Sequence, residues 1–572
     1  MSKLSKIFSD IPVDIQNRSG FDMSHYNIGD GKTGTLIPVL CEEMLPNDSV
    51  SLGFMDKVQL LPMATNFSGR IDMRFEAFFV PNRILWGGWQ DFQTLPDNNP
   101  YQTPFERPTV APYFTNGTDI SGTSAGQYFQ SHFGPQSLFD YLGYGSSSSA
   151  WNGKDGQSLP INSLSISALP FIAYQRVYDE WYRNPRITQP LFVRPSSPGE
   201  SNNSVYSLPW LQYVHKFFVP GSDFKNAIAL ESDVFDYNHL ADGSTLTTLR
   251  QRCWGDDYLT TCALYPQASG SITGNPIRVE GDSFTISDLR TANVLQRWAE
   301  RRNIAGPRYA DQLLATWGVM PSDAIIDRPI YLGSYSHGVY TSPIFNSNSI
   351  SANSEGDSDG QGLNPYSKYP ASSAGQSDGV GQGSLVNNFH VTEHGFLMVI
   401  ASLVPHAFYS TYKRTYLKRK KIADYANPLL QGLGEQSVTN DIILGDNFVQ
   451  MIEGGNEDTW GYTPQYSDYK YHCDEVHGTR RDNNANKYFS LQRSILSSSN
   501  WVLSTAFLEI PTDFLDQVSN VSTSNAGCSY MYDIYFSLKI VRTLSEYVIP
   551  TLGDLKDVHK ERIPFRGRQI KG

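Results

Sequence analysis

Residues Arg70 to Trp86, RIDMRFEAFFVPNRILW, constrain the fold more than any other stretch of this chain. Ile71, Met73, Phe75, Ala77 and Phe79 fall on one side of a period-two ribbon, and Asp72, Arg74 and Glu76 on the other. Val80-Pro81 ends the ladder because proline has no N–H to donate. Asn82-Arg83 then turns the chain into the apolar group Ile84, Leu85 and Trp86. The pattern predicts a half-buried strand leaving a large sheet.

Strand signals recur at Thr35 to Leu40, Val50 to Leu61, Phe396 to Val404 and Tyr530 to Arg542. In the last of these Tyr530, Tyr532, Ile534, Phe536, Leu538 and Ile540 form one face against Asp533, Ser537 and Lys539. Helices are predicted over Ser167 to Tyr182, where Phe171, Tyr174, Val177, Tyr178 and Trp181 share a stripe, and over Asp288 to Arg302 with Ser287 as N-cap. A third runs from about Arg308 to Trp317 and stops at Gly318.

Surface loops are expected at Thr115 to Gly126 with Gly143 to Ser163, at Ser196 to Ser204, and above all at Ser334 to Asn388. Within the last, Ser351 to Ser384 holds seven glycines and eight serines and almost no apolar side chain, a composition that cannot bury a core of its own. Composition is even along all 572 residues, so one dominant domain is expected over 1–572. Its insertions are a loop and helix region at 115–165, a mainly helical and loop region at 166–332, and a Gly/Ser-rich surface loop at 333–390. A basic tail follows at 553–572. Strands separated by grown connections suit an all-β fold, an eight-stranded jelly roll of the viral β-sandwich type.

Aromatic residues make up 13% and charged residues only 18%, which suits a subunit that buries much of itself against neighbours. The five cysteines are odd in number and dispersed, so a disulfide framework is not expected and a reducing compartment is. MSKLSKIFSD has no apolar run behind its lysines, and the longest apolar run, FLMVIA at Phe396 to Ala401, is too short to cross a bilayer. No membrane partner is expected.

Several motifs could carry chemistry. Gly29, Gly31 and Gly34 satisfy G-x-G-x-x-G, but Tyr26 stands where a phosphate loop needs glycine and LIPVL follows where a helix should open, so the stretch reads as a turn entering a strand. His472, Cys473, Asp474, Glu475 and His477 are metal-loving residue types without the paired short spacings of a structural zinc site. No cofactor is expected, and a structural divalent cation is left open. Asp256-Asp257 and Glu42-Glu43 are adjacent and would diverge in a strand, so they are expected to be solvated, arginine-paired or at a subunit contact. Convergent glycosidase carboxylates could come from anywhere among the 57 acids, so a carbohydrate-binding β-protein or polysaccharide hydrolase stays open as the alternative. No G-x-S-x-G or H-E-x-x-H occurs.

The basic segment Tyr409 to Lys421, YSTYKRTYLKRKK, differs in kind. Lys413, Arg414, Lys418, Arg419, Lys420 and Lys421 interleave with tyrosines, of which Tyr412 and Tyr416 are placed to stack on bases. Cations neutralise phosphates and aromatic faces stack on unpaired bases, the combination that binds single strands without sequence preference. In the tail Lys560, Arg562, Arg566, Arg568 and Lys571 stand against Glu561, with Phe565 as a further stacking group. A solvated basic face, or contacts to acidic neighbours, is the competing reading of both clusters. The formal charge is −12, and without those two clusters the remainder stands near −22, which fits a basic interior and an acidic exterior.

Arg70 to Trp86 also closely resembles the FFVPNR-L-W signature of major capsid proteins of the Microviridae, small icosahedral single-stranded DNA phages, and especially their gokushovirus-like members. The resemblance recurs in order along roughly residues 15 to 475. LIPVLCEEMLPNDSV (Leu36 to Val50) is similar to LIP-x-x-x-x-E-x-LPGD, with Asn47 for the usual glycine. LPFIAYQRVYDEWYRNP (Leu169 to Pro185) is similar to LPF-x-AY-x-x-IYNEWFRD. CWGDDYLT, YPQ, LGEQ and GYTPQYSDYKY echo further pieces. The resemblance implies a non-enzymatic jelly-roll subunit, sixty copies of which close into a T=1 shell around circular single-stranded DNA in the cytoplasm of a bacterial host. It implies as partners a small basic DNA-binding protein, a pilot or minor protein, and a host receptor or glycan, the last contacted by surface loops.

Overall fold

The computed structural model describes residues 18–63, 67, 69–86, 89–94, 113–115, 135–144, 165–188, 191, 248–264, 290, 293–295, 297–298, 301, 308–343, 375–429, 434–444, 459–481, 486–493 and 503–544. In chain order its strands are β1 Ser19–Asp22, β2 His25–Gly31, β3 Ile37–Met44, β4 Ser49–Leu60, β5 Ile71–Pro81, β6 Tyr113–Thr115, β7 Ser165–Ser167, β8 Ile330–Pro343, β9 Gly375–His390, β10 Gly395–Pro405, β11 Phe408–Tyr409, β12 Glu435–Thr439, β13 Thr459–Pro464, β14 Gln492–Arg493 and β15 Tyr530–Arg542. The described residues are mostly antiparallel β-structure with few helices, which bears out the all-β expectation at that level.

Nine strands form one hydrogen-bonded sheet, eight of them in the order β1-β15-β4-β9-β8-β5-β10-β3 and the ninth, β2, beside β15. Every pairing along it is antiparallel. The path folds over on itself. In a flat sheet β4 and β5, three strand steps apart, would be separated by about 14 Å. Instead the rings of Phe54 on β4 and Phe75 on β5 lie 4.7 Å apart, and Phe54 meets Tyr335 of β8 at 5.2 Å. The two halves therefore face each other across one core, to which β15 contributes Tyr530, Tyr532, Ile534, Phe536, Leu538 and Ile540, all buried. Each such side chain stabilises the fold by about 1.5–3 kcal/mol when fully buried, an upper bound against a compact unfolded chain.

The fold-over begins in the β8–β9 hairpin and corrects the expectation of a surface loop over 333–390. Tyr340 to Pro343 bond to Asp378 to Gly375. Beyond that point the strands splay, β8 pairing with β5 and β9 with β4. Their side chains stay opposed in the same register. A Cβ on Gly379, Gly381 or Gly383 would run into Val339, His337 and Tyr335 respectively. The alternate glycines are thus the inward face of a core strand, their missing side chains replaced by those of β8. Low apolar content reads as a loop when the bulk is supplied from another strand. Of the predicted loop, 344–374 lies outside the described residues, as does Ser196 to Ser204.

β10 is buried on both faces, as its continuous apolar run requires. Leu397, Val399, Ala401 and Leu403 enter the main core, whereas Met398 and Ile400 enter a second cluster with Phe78, Trp86 and the helix Leu169–Val177. That helix is predicted by its spacing and continues as a wider turn through Tyr178–Tyr182. It is tied to the sheet's outer face by Tyr174, whose hydroxyl donates to the Leu36 carbonyl at 2.8 Å, and by Tyr182, whose hydroxyl donates to Glu76. Asn47, where the resembled motif has glycine, takes the left-handed conformation at φ 72°. Tyr309–Trp317 is helical and ends at a left-handed Gly318, as expected. The described residues between 290 and 301 are helical too.

Candidate functional site

The basic segment is built outward from a third cluster containing Tyr258, Cys262, Tyr409, Val438, Trp460 and Phe507. Tyr409 anchors it: its hydroxyl donates to Asp257 Oδ2 at 2.6 Å and accepts from Arg493 at 2.7 Å. Burial pushes the Tyr409 phenol well above its ordinary pKa, so it stays a neutral donor. Asp257 Oδ1 meanwhile accepts from the amides of Leu259 and Thr260, both at 2.8 Å, so this carboxylate caps a turn and is not solvated. The amide of Lys413 then bonds to the Ile442 carbonyl at 2.7 Å, and a short 3₁₀ turn covers Thr415–Lys418.

Among the described residues, Arg414, Lys418 and Arg419 meet acids of the same chain. Arg414 Nε lies 2.8 Å from Glu475, Lys418 Nζ lies 2.7 Å from Asp441, and Arg419 pairs with Asp468 while its guanidinium sits 4.0 Å above the Tyr469 ring. Burial works to raise the Asp441 carboxyl, but hydrogen bonds from Lys418 and Thr439 and the charge of Lys418 outweigh it and hold the group below the usual range. Lys418 and Arg419 thus clamp the segment to β12, β13 and the turns that follow them. Tyr412 is half-buried with its ring 6.4 Å from Tyr409, whereas Tyr416 is exposed. Lys420 and Lys421 are exposed as well. The arrangement offers a platform of Tyr416, Lys420 and Lys421, with Arg414 at its edge. Arg562, Arg566, Arg568 and Lys571 lie outside the described residues. Sequence reasoning did not connect Asp441, Asp468 or Glu475 to this segment, because the acids that neutralise it are distant in the chain; Glu475 stood out only as a metal-loving residue type.

The other candidates are structural. Gly29 and Gly31 lie in β2 against β15, and Gly34, at φ 71°, turns the chain toward β3. His406 Nε2 lies 2.7 Å from Asp474, and His477 Nε2 3.2 Å from Glu475. Among the described residues no group of three metal-ligating side chains is assembled. All five cysteines are free thiols, and no described helix is long and apolar enough to cross a membrane.

A cleft of about 670 Å³ lies against the outer face of β5, lined among others by Arg74, Tyr182, Arg183, Arg252, Cys253 and Asp256. Arg252 forks onto Glu76 at 2.8 and 3.0 Å, and Arg183 holds Asp179 at 2.6 Å. The Arg252–Glu76 pair joins the 248–264 segment to β5, and the Arg183–Asp179 pair closes the end of the helical turn on itself. Burial pushes the Cys253 thiol up to about 11, which leaves it protonated and poorly nucleophilic at neutral pH.

Over residues 9–123 and 148–552 the chain matches the family model described as Capsid protein (F protein). It is 24% identical over 639 aligned positions to capsid protein VP1 of Chlamydia phage 1, covering 96% of this chain and 98% of that one. To capsid protein VP1 of Bdellovibrio phage phiMH2K it is 23% identical, covering 95% and 97%. A shorter alignment, 24% identical over 35% of this chain and 33% of the relative, reaches capsid protein VP1 of Spiroplasma virus 4.

Proposed function

Because the chain belongs to the Capsid protein (F protein) family and is a phage major capsid protein of the gokushovirus-like kind, we propose that sixty copies close into a T=1 icosahedral shell around circular single-stranded DNA. The observation that carries this reading is the near full-length match to two phage capsid proteins. The folded-over antiparallel sheet supports a jelly-roll subunit, a single domain with its helical insertion packed on the outer face. A structural, non-enzymatic role is supported by the outer cleft, where Arg252 is engaged with Glu76 of β5 and Arg183 with Asp179 of its own helical turn.

The shell resides in the virion and assembles in the bacterial cytoplasm. In this reading Tyr416, Lys420 and Lys421, together with Lys413, Arg414 and the tail cations Arg562, Arg566, Arg568 and Lys571, face the genome. Lys418 and Arg419 hold the platform in shape. A small basic DNA-binding protein and a pilot protein share the interior, and the chain between β8 and β9 is the part that meets host receptor or glycan.

Electron microscopy of purified protein, with the absorbance ratio at 260 and 280 nm read after nuclease treatment, tests the reading. Uniform closed shells with protected DNA are expected. A small soluble oligomer under every ionic condition would overturn it. Changing Lys420 and Lys421 to glutamine should lower protected DNA and leave shells forming; normal packaging would remove these residues from the genome contact.

A further inference from the structure

We infer that the apolar strip from Tyr309 to Ile325 is a face that buries against a second copy of this chain, an assignment that rests on the reading of the protein as a shell subunit. The helix Tyr309–Trp317 is amphipathic: Ala310, Leu313, Leu314 and Trp317 repeat at i, i+3, i+4 and i+7 and so share one stripe. Among the described residues, the chain's own packing covers only the start of that stripe. Ala310 is buried and Leu313 partly so, but Leu314 is open and Trp317 is 75% exposed. The exposed apolar surface continues past the Gly318 stop through Val319 and Met320 to Ile325, itself 76% exposed.

The strip is held rigidly. At one end Arg308 donates to the carbonyls of Asp179 and Arg183. At the other, Arg83 pairs with Asp327 at 2.6 Å, and Arg328 pairs with Asp323 at 2.7 Å while stacking 4.4 Å above the Trp181 ring. A surface ordered before contact loses less entropy on binding.

Area and charge select the occupant. With aromatic side chains offering about 150–250 Å² each, Tyr309, Leu314, Trp317, Val319, Met320 and Ile325 together expose roughly 700 Å². That exceeds the ~300–600 Å² largest patch of a typical monomer and approaches the ~800 Å² that one partner contributes to a stable protein interface. Between 309 and 325 the only charged residues are Asp311 and Asp323, and Asp323 is already paired. A strip with no cation does not suit nucleic acid. Charge depletion around a tryptophan and a methionine is the composition of an interface core, and in a shell the partner present at every subunit is another copy.

The test uses the full chain. Trp317→Glu and Met320→Glu, singly and together, are compared with wild type and with Trp317→Phe for closed particles by sedimentation and microscopy, and for melting temperature and protease resistance of the unassembled subunit. The expected result is at least a tenfold loss of closed shells in the double variant, with the subunit's melting and protease resistance unchanged and shells retained in Trp317→Phe. Charged variants that assemble like wild type overturn the inference alone. Charged variants whose unassembled subunit melts lower or is cut faster also overturn it, and assign the strip to cover by the chain's own residues, such as 192–247. Wild-type protein that never forms shells overturns the function reading and this inference together.

Discussion

Replacing His337 by alanine should destabilise the subunit by about 3–5 kcal/mol, the usual cost of leaving one member of a buried ion pair alone. Asp56 lies on the inward face of β4 with no side-chain exposure, and its Oδ2 is 2.7 Å from His337 Nε2 on β8. Its Oδ1 has no hydrogen-bond partner among the described residues, so without His337 neither oxygen is bonded to them. No other group can move in easily, because the neighbours are the Phe75 and Tyr335 rings and the backbone of Gly381. The double change Asp56→Val with His337→Leu removes both charges and should recover at least about 2 kcal/mol of the single variant's loss.

The pair also sets a pH dependence. Burial works against the charged imidazolium, but the hydrogen bond and charge of Asp56, with help from the Gly338 carbonyl and Asp72, raise the His337 pKa overall. A histidine raised on folding contributes stability that is fully present below its unfolded pKa, about 6.5, and is lost as pH climbs through the folded value. Urea unfolding of the unassembled subunit, followed by tryptophan fluorescence from pH 5.5 to 8.5, should show wild type exceeding Asp56→Asn most at the acidic end, the gap narrowing as pH rises. A His337→Ala cost below about 1 kcal/mol, or a gap that widens with pH, would refute the reasoning.

Three further outcomes are expected. Gly381→Val should destabilise by about 1–3 kcal/mol or more by overpacking, since its side chain meets Asp56 and His337, whereas Gln382→Val on the solvent face should change urea stability little. Exchanging residues 351–384 for a short Gly-Ser bridge should abolish soluble folded subunit because it removes more than half of β9, whereas exchanging only 346–372 should leave particles forming; size-exclusion chromatography distinguishes the two. Asn47→Gly should hold or slightly raise the melting temperature, and Asn47→Val should lower it, because the left-handed backbone there penalises a β-branched side chain.

Local periodicity was enough to find β5, β15 and the helix Leu169–Val177, because a strand or helix with one buried face writes its period into the residues that line that face. The apolar run of β10 was visible because a strand covered on both faces reads as a continuous apolar stretch, although its two different covers were not. What the sequence could not show was where matter from distant segments fills space or cancels charge. Gly379, Gly381 and Gly383 look like a loop until Val339, His337 and Tyr335 are laid over them. Lys418 and Arg419 look like phosphate ligands until the fold brings Asp441 and Asp468 against them. Trp317 is legible in the sequence only as the end of a helix, and its exposure is set by the tertiary structure. Each of these turns on a through-space neighbour, and proximity between residues far apart in the chain is set by the packing of the whole sheet rather than by any local pattern.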